Sequence, residues 1–414
     1  MLGLPRDWNR NQVVIYSAAL LRTTGVGMTG VLVAVYASRL GLSLVQIGVL
    51  ITAGMAANAA ATVFVSLYAD RFGRRPTLIL LALLGAVGGA GLALTHQPSL
   101  LVFVSFIGLV NGSGTDRGPC FVLEQAILPQ TTSVLHRTRV LSWHTIVMDI
   151  GHAAGALLAG LPILVSRWSG LDLFASYRAT FAFYAALNVA SALLYAQPGV
   201  AIEVQGRNVL EGKRPPLAPK SKAIVTRLSA LFAVDSFGGG FMTDALIAYW
   251  FFRRFGISED RLGLLFAIGN VLNSFSYLGA AKLASRIGLL NTMVFTHIPS
   301  SVLLMLIPIA PSPGWAVAFF LAWESLVEMD VPTRQSYLMA VVEPEDRTFS
   351  TGMTNLSRSV ARAVSPTVAG YMMQQISLAA PLFFGGGLKI LYDIVLYRAF
   401  RHLKPPEEEH RGPR

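Results

Sequence analysis

Fifteen Lys, Arg, Asp and Glu side chains fall inside long apolar runs of this 414-residue sequence. Six are basic: Arg22, Arg117, Arg334, Arg358, Arg362 and Lys389. Nine are acidic: Asp116, Glu124, Asp149, Asp235, Asp244, Glu324, Glu328, Asp330 and Asp393. A guanidinium fork grips carboxylate or phosphate through two hydrogen bonds, so Arg22, Arg358 and Arg362 are candidate binding groups. Asp235, Asn58 and Asn270 join them as polar contacts at similar depth. Glu324 and Glu328 stand four residues apart, on one face if the helix is continuous. Two carboxylates so placed in a low dielectric tend to share a proton. With Asp149 and His152 they are the candidate proton carriers, imidazole being the group that titrates near neutrality. The same two glutamates also suit a salt-bridge net with Arg358 and Arg362. His144, Met148 and His152 follow at i, i+4 and i+8, a stripe of soft and borderline donors that suits copper, zinc or iron. A single helix strings such donors into a line rather than a shell, which makes metal binding the weaker reading. Lys389 and Asp393, again four apart, are expected to pair locally. Glu124 and Arg334 are expected to be gate or interface charges.

An ionised group at the centre of a bilayer costs about 2.5–3.5 kcal/mol even on lenient scales. The elements that carry these residues must therefore be long, apolar and packed together. The composition agrees: 53% hydrophobic and 13% charged, against about 25% charged in soluble domains. Twelve spans of roughly 20 residues are expected near 13–36, 46–68, 78–95, 99–128, 139–165, 179–196, 224–251, 261–283, 289–310, 314–341, 348–373 and 380–400. The polar stretch 197–223 reads as a linker between halves 1–196 and 224–400, and 401–414 as a tail. With both termini inside, 21 Lys and Arg fall on the inner side and six on the outer, as the positive-inside rule requires. That distribution accounts for the net charge of +11 without nucleic-acid binding. The single cysteine, Cys120, excludes an internal disulfide.

The halves echo each other. SRLGLS at 38–43 precedes the second span and RRFGIS at 253–258 the eighth, 215 positions on. ADRFGRRPTL at 69–78 and ASRIGLLNTM at 284–293 follow those spans at the same offset. RTRVLS at 137–142 faces RTFSTG at 347–352, and LLAG at 157–160 faces TVAG at 367–370, both 210 apart. Four ordered matches at nearly constant spacing imply a duplicated six-helix unit.

With the repeat and the loop Asp70-Arg71-Phe72-Gly73-Arg74-Arg75 in view, the sequence resembles the major facilitator superfamily over nearly its whole length. The family loop is Gly-x-x-x-Asp-Arg-x-Gly-Arg-Arg/Lys, and Ser66 stands here for its glycine. Gly108–Gly114 resembles the helix 4 motif of the drug:proton antiporters, with Gly108 where an arginine stands. Gly151–Gly160 resembles their helix 5 motif, with Ala156 for proline. The resemblance implies an all-α membrane fold of two pseudo-symmetric six-helix bundles. It also implies a conformational latch formed by Asp70, Arg71, Gly73, Arg74 and Arg75.

The expected function is secondary active transport of a small polar or charged solute by alternating access, with protons as the coupling ion and export of a drug or metabolite as the direction. Uptake of an organic anion and transition-metal transport are the alternatives. A polytopic membrane enzyme using Ser113 of Gly112-Ser113-Gly114 is a remote one. No Gly-x-x-x-x-Gly-Lys-Ser/Thr cradle occurs, so P-loop hydrolysis of ATP is not expected. Neither a cofactor nor a nucleic-acid partner is expected. The expected setting is a cell membrane of the bacterial inner or plasma type, with the chain acting as a monomer among lipids.

Overall fold

The computed structural model describes residues 9–133, 136–197, 219–343 and 346–402. Most of the expected linker and tail lies outside them. Sixteen α-helices and no strand occur among the described residues. Helices α1 (Arg10–Arg39), α2 (Leu44–Phe72), α3 (Arg74–Leu94), α8 (Leu173–Tyr195), α11 (Glu259–Ile287), α12 (Leu289–Leu306), α15 (Arg347–Gln375) and α16 (Ala380–Phe400) each match one expected span. The other four spans are helix pairs: α4 (Pro98–Ile107) with α5 (Pro119–Ile127), α6 (Arg137–Leu158) with α7 (Leu161–Ser169), α9 (Pro219–Gly240) with α10 (Asp244–Phe255), and α13 (Pro313–Val327) with α14 (Asp330–Val341). Among the described residues, six helical stretches are long and apolar enough to cross a bilayer alone, and the α6–α7 pair, bent by 43°, makes a seventh. The rest fall short because they are broken or carry polar residues inward. The chain is an all-α, multi-pass membrane protein.

The continuous helix expected over 99–128 is interrupted at Gly108–Gly118. Four glycines make extended runs of helix costly there. Asn111 offers the backbone an alternative partner: its Oδ1 accepts from the Ser113 amide at 2.8 Å and the Ser113 hydroxyl at 2.6 Å. Its amide donates to the Thr115 carbonyl at 2.8 Å. Leu109 takes a left-handed backbone with φ 53°, a conformation that costs a branched residue about 1–3 kcal/mol. Asn58 donates to its carbonyl at 2.9 Å, and Thr29 to that of Asn111 at 3.0 Å. Irregular backbone survives at membrane depth because other protein groups satisfy it.

The chain divides into two compact units, Met1–Val209 with Thr243–Ala267, and Leu210–Met242 with Ile268–Arg414. The core of the first gathers Ile15, Ala18, Leu78, Leu128 and Tyr195. That of the second gathers Leu228, Phe232, Tyr337, Leu396 and Phe400. Within the first unit, Glu259 at the start of α11 is fully buried and bonded by Arg39 at 2.7 Å and by the Tyr177 hydroxyl. The repeat is visible in the backbone. Gly41 and Gly256 have φ of 83° and 65°, and Gly73 and Gly288 of 92° and 88°, each pair 215 positions apart. A side chain is strained at all four, so the turns that separate the helices explain why these glycines recur.

Candidate functional site

Each unit encloses a buried charge cluster. In the first, α1 presents Arg22 from its buried side. The broken fourth span supplies two carboxylates, Asp116 from the irregular segment and Glu124 from α5. Arg22 is salt-bridged to Asp116, and its Nη2 donates to Glu124 Oε2 at 2.5 Å. His144 on α6 meets the same oxygen at 3.0 Å, and the Tyr195 hydroxyl of α8 donates to Oε1. Glu124 and His144 are fully buried. His152 Nε2 accepts the backbone N–H of Asp116 at 3.1 Å. A cleft opens on this cluster, lined by Arg22, Asn58, Asp116, Cys120, Tyr184 and Asn188 among others.

In the second unit Asp235 of α9 is the hub. Lys389 Nζ of α16 donates to its Oδ1 at 2.9 Å, and Arg334 Nη1 of α14 to its Oδ2 at 3.3 Å. Arg334 also holds Asp330 at 2.5 Å. His297 of α12 lies 2.9 Å from Asp393 through Nδ1 and 3.0 Å from Lys389 through Nε2. The local pairing expected of Lys389 and Asp393 thus gives way to bonds with α9 and α12. Arg358 Nε of α15 donates to Ser236 Oγ at 3.0 Å.

The two clusters are the same pair with the charges exchanged. Arg22 in the first span meets Glu124 in the fourth. Asp235, 213 positions on, meets Arg334, 210 on from Glu124. Packing fixes that register independently. A methyl on Gly27 of α1 would strike the His152 carbonyl at 2.3 Å, and one on Gly240, 213 positions on, the Arg362 carbonyl at 2.7 Å, 210 on from His152.

The remaining candidates are scattered. Asn58 lies at the first cluster, spending its amide on the Gly54 and Leu109 carbonyls. His144, Met148 and His152 are buried along α6, both imidazoles engaged by protein groups. Asp149 is half-buried on the same helix. Glu324 accepts from Asn273 of α11. Glu328 caps the end of α13 at the break before α14, so no continuous helix carries both glutamates on one face. Asn270 is half-buried, and its carbonyl accepts from Ser274 at 3.1 Å. Arg362 is half-buried on α15. Ser113, the candidate nucleophile, is spent on the turn at Asn111. The sequence reading singled out Asp116 as an acid within a span but gave it no role, and passed over Tyr195 and His297. The repeat offers a signal for the main pairs, since aligning the halves sets Arg22 against Asp235 and Glu124 against Arg334.

The model of the Major Facilitator Superfamily matches residues 15–329 and 237–414. The chain belongs to this superfamily. Membrane protein YJR124C of Saccharomyces cerevisiae (strain ATCC 204508 / S288c) is 23% identical over 419 residues, 94% of this chain and 93% of that protein. Multidrug resistance protein MdtL of Klebsiella pneumoniae (strain 342) is 30% identical over 156 residues, 38% of each chain. A crystal structure of nucleoside transporter NupG, in a mutant form, superposes with a TM-score of 0.73 at 16% identity, covering 95% of this chain and all of that one. The protein is therefore a facilitator-fold transporter and not an enzyme. In this facilitator the loop between α2 and α3 turns at Gly73. Arg74 donates to the exposed Asp70 at 2.7 Å and to the Ala126 carbonyl in the last turn of α5 at 3.4 Å. Arg75 donates to the carbonyls of Tyr195 at 2.9 Å and Ala196 at 2.5 Å, capping the end of α8. Arg71 is exposed.

Proposed function

We propose that this facilitator couples transport to protons and that the first unit's cluster carries the proton. The observation behind this is the charge count around Arg22. One guanidinium stands among two buried carboxylates, Asp116 and Glu124. With His144 neutral, Arg22, Asp116 and Glu124 together carry one negative charge in a poorly solvated place, a costly state, with the exposed Arg117 next to Asp116 in the chain. One proton, on the imidazole or a carboxylate, neutralises it. Release and rebinding of that proton is the step that a gradient drives. His152 holds the Asp116 segment in place. Asp70 and the loop arginines latch one end of the molecule and govern its switching.

The direction we assign is export of a small polar or charged solute, supported by the name of the partial relative in Klebsiella pneumoniae, multidrug resistance protein MdtL. The chain sits in the cell membrane with both termini inside and works as a monomer.

The test is proton movement in proteoliposomes that enclose a pH-sensitive dye. Lipophilic cations, organic anions and nucleosides are added in turn, with and without an imposed pH gradient. A solute-dependent pH change that Glu124→Gln abolishes supports the reading. Solute flux indifferent to the gradient refutes it.

A further inference from the structure

The second unit contains a cleft that the coupling site does not use. It is lined by Phe232, Arg334, Leu338, Met339, Asn355 and Arg358, with three further polar side chains. Its wall holds two guanidiniums and no carboxylate. The cleft of the first unit differs in that Asp116 lines it beside Arg22.

Helix α14 brings Arg334 to the cleft and helix α15 brings Arg358. Thr351, Asn355, Arg358 and Arg362 recur at four, three and four residues, which keeps them on one face of a 3.6-residue turn. Met353, Leu356, Val360 and Val364 are exposed and fall on the opposite face. The apolar stripe suits lipid tails. Charged side chains within a span face the bundle interior or a wet cavity and pair with polar groups there. Thr351, Asn355 and Arg358 of the polar stripe line the cleft.

Resting on the reading of this chain as a small-solute transporter, we infer that the second unit binds an organic anion with an aromatic or aliphatic body, its carboxylate between Arg334 and Arg358. Both guanidiniums are anchored in advance, Arg334 by Asp235 and Asp330 and Arg358 through Nε by Ser236. Anchoring lowers the ordering cost of binding. A carboxylate accepts charge-assisted hydrogen bonds from such forks, whereas a cation meets like charge. Phe232, Leu338 and Met339 cover the apolar body.

Isothermal titration of the purified full chain near neutral pH tests this with three probes of one shape: 2-naphthoate, neutral 2-naphthamide and protonated 2-naphthylmethylamine. The carboxylate is expected to bind about tenfold or more tighter than either analogue. Arg358→Gln removes that preference, Arg358→Lys retains part of it, and Leu338→Trp blocks the cleft for all three. Equal binding of the probes overturns the inference, as does preference for the amine. So does a carboxylate preference that survives both Arg358→Gln and Leu338→Trp. If Arg358→Gln fails to fold, Leu338→Trp and the three-probe comparison still decide. Equilibrium binding needs no turnover. Naphthoate bound without proton movement sinks the coupling reading alone. Proton exchange driven by cations, with no naphthoate binding, sinks the anion site alone.

Discussion

At the scale of single residues, the clusters differ in how many cations share the load. Asp235 is bonded by both Lys389 and Arg334, so losing Lys389 leaves it Arg334, with His297 at 3.6 Å. In the first cluster one guanidinium, that of Arg22, serves both Asp116 and Glu124. Breaking a buried pair from one side costs about 3–5 kcal/mol, because the partner stays charged. Arg22→Gln is therefore expected to lower the thermal transition in detergent clearly more than Lys389→Gln. Equal shifts would mean that the sharing at Asp235 is not what stabilises it. Partners of this kind are hard to read from sequence. Arg22, Asp235 and the other buried ions are conspicuous one by one, because apolar runs make any charge stand out. Which acid meets which base depends on helix rotation and depth, and the local Lys389–Asp393 spacing pointed to the wrong partner for both.

At the scale of the elements, packing is set by glycines where helices touch. A methyl on Gly155 of α6 would meet the Thr24 carbonyl at 2.0 Å, a backbone atom that cannot swing away, whereas one on Gly352 of α15 meets nothing within 4 Å. Gly155→Ala is expected to abolish a monodisperse gel-filtration peak. Gly352→Ala is expected to be neutral or to gain up to about 1 kcal/mol, since alanine is the better helix former. A well-behaved Gly155→Ala protein would show that α1 and α6 separate at no cost. The eight single helices and four helix pairs that match the expected spans were legible because hydropathy over 20 residues averages out local detail. The breaks at Gly108–Gly118 and at Glu328 were not, because those runs stay apolar enough to look continuous. The cues lay in residue identity: Asn111 and Ser113 between glycines, and proline at the start of α5.

At the scale of the whole molecule, the expected topology and switching are open to direct measurement. Cys120 is buried and is the sole cysteine, so a Cys120→Ala background accepts single reporters. Cysteines at positions 10 and 402 are expected to react with an impermeant maleimide only after the membrane is opened, and one at 171 before it. Labelling of 10 and 402 in intact cells would invert the orientation. Asp70→Asn, which removes the carboxylate bonded to Arg74, is expected to slow turnover several-fold while solute affinity changes little. Normal turnover would remove the latch role.

The reversed polarity of the two clusters also bears on descent. If one ancestral half was copied, one descendant had to trade cation for anion at two sites more than 90 positions apart. A single exchange leaves two like charges facing each other, and reversing both restores attraction. Lineages should therefore cross between the two orders by paired changes. Among relatives, positions 22 and 124 should flip sign together, as should 235 and 334, while the two pairs drift independently of one another.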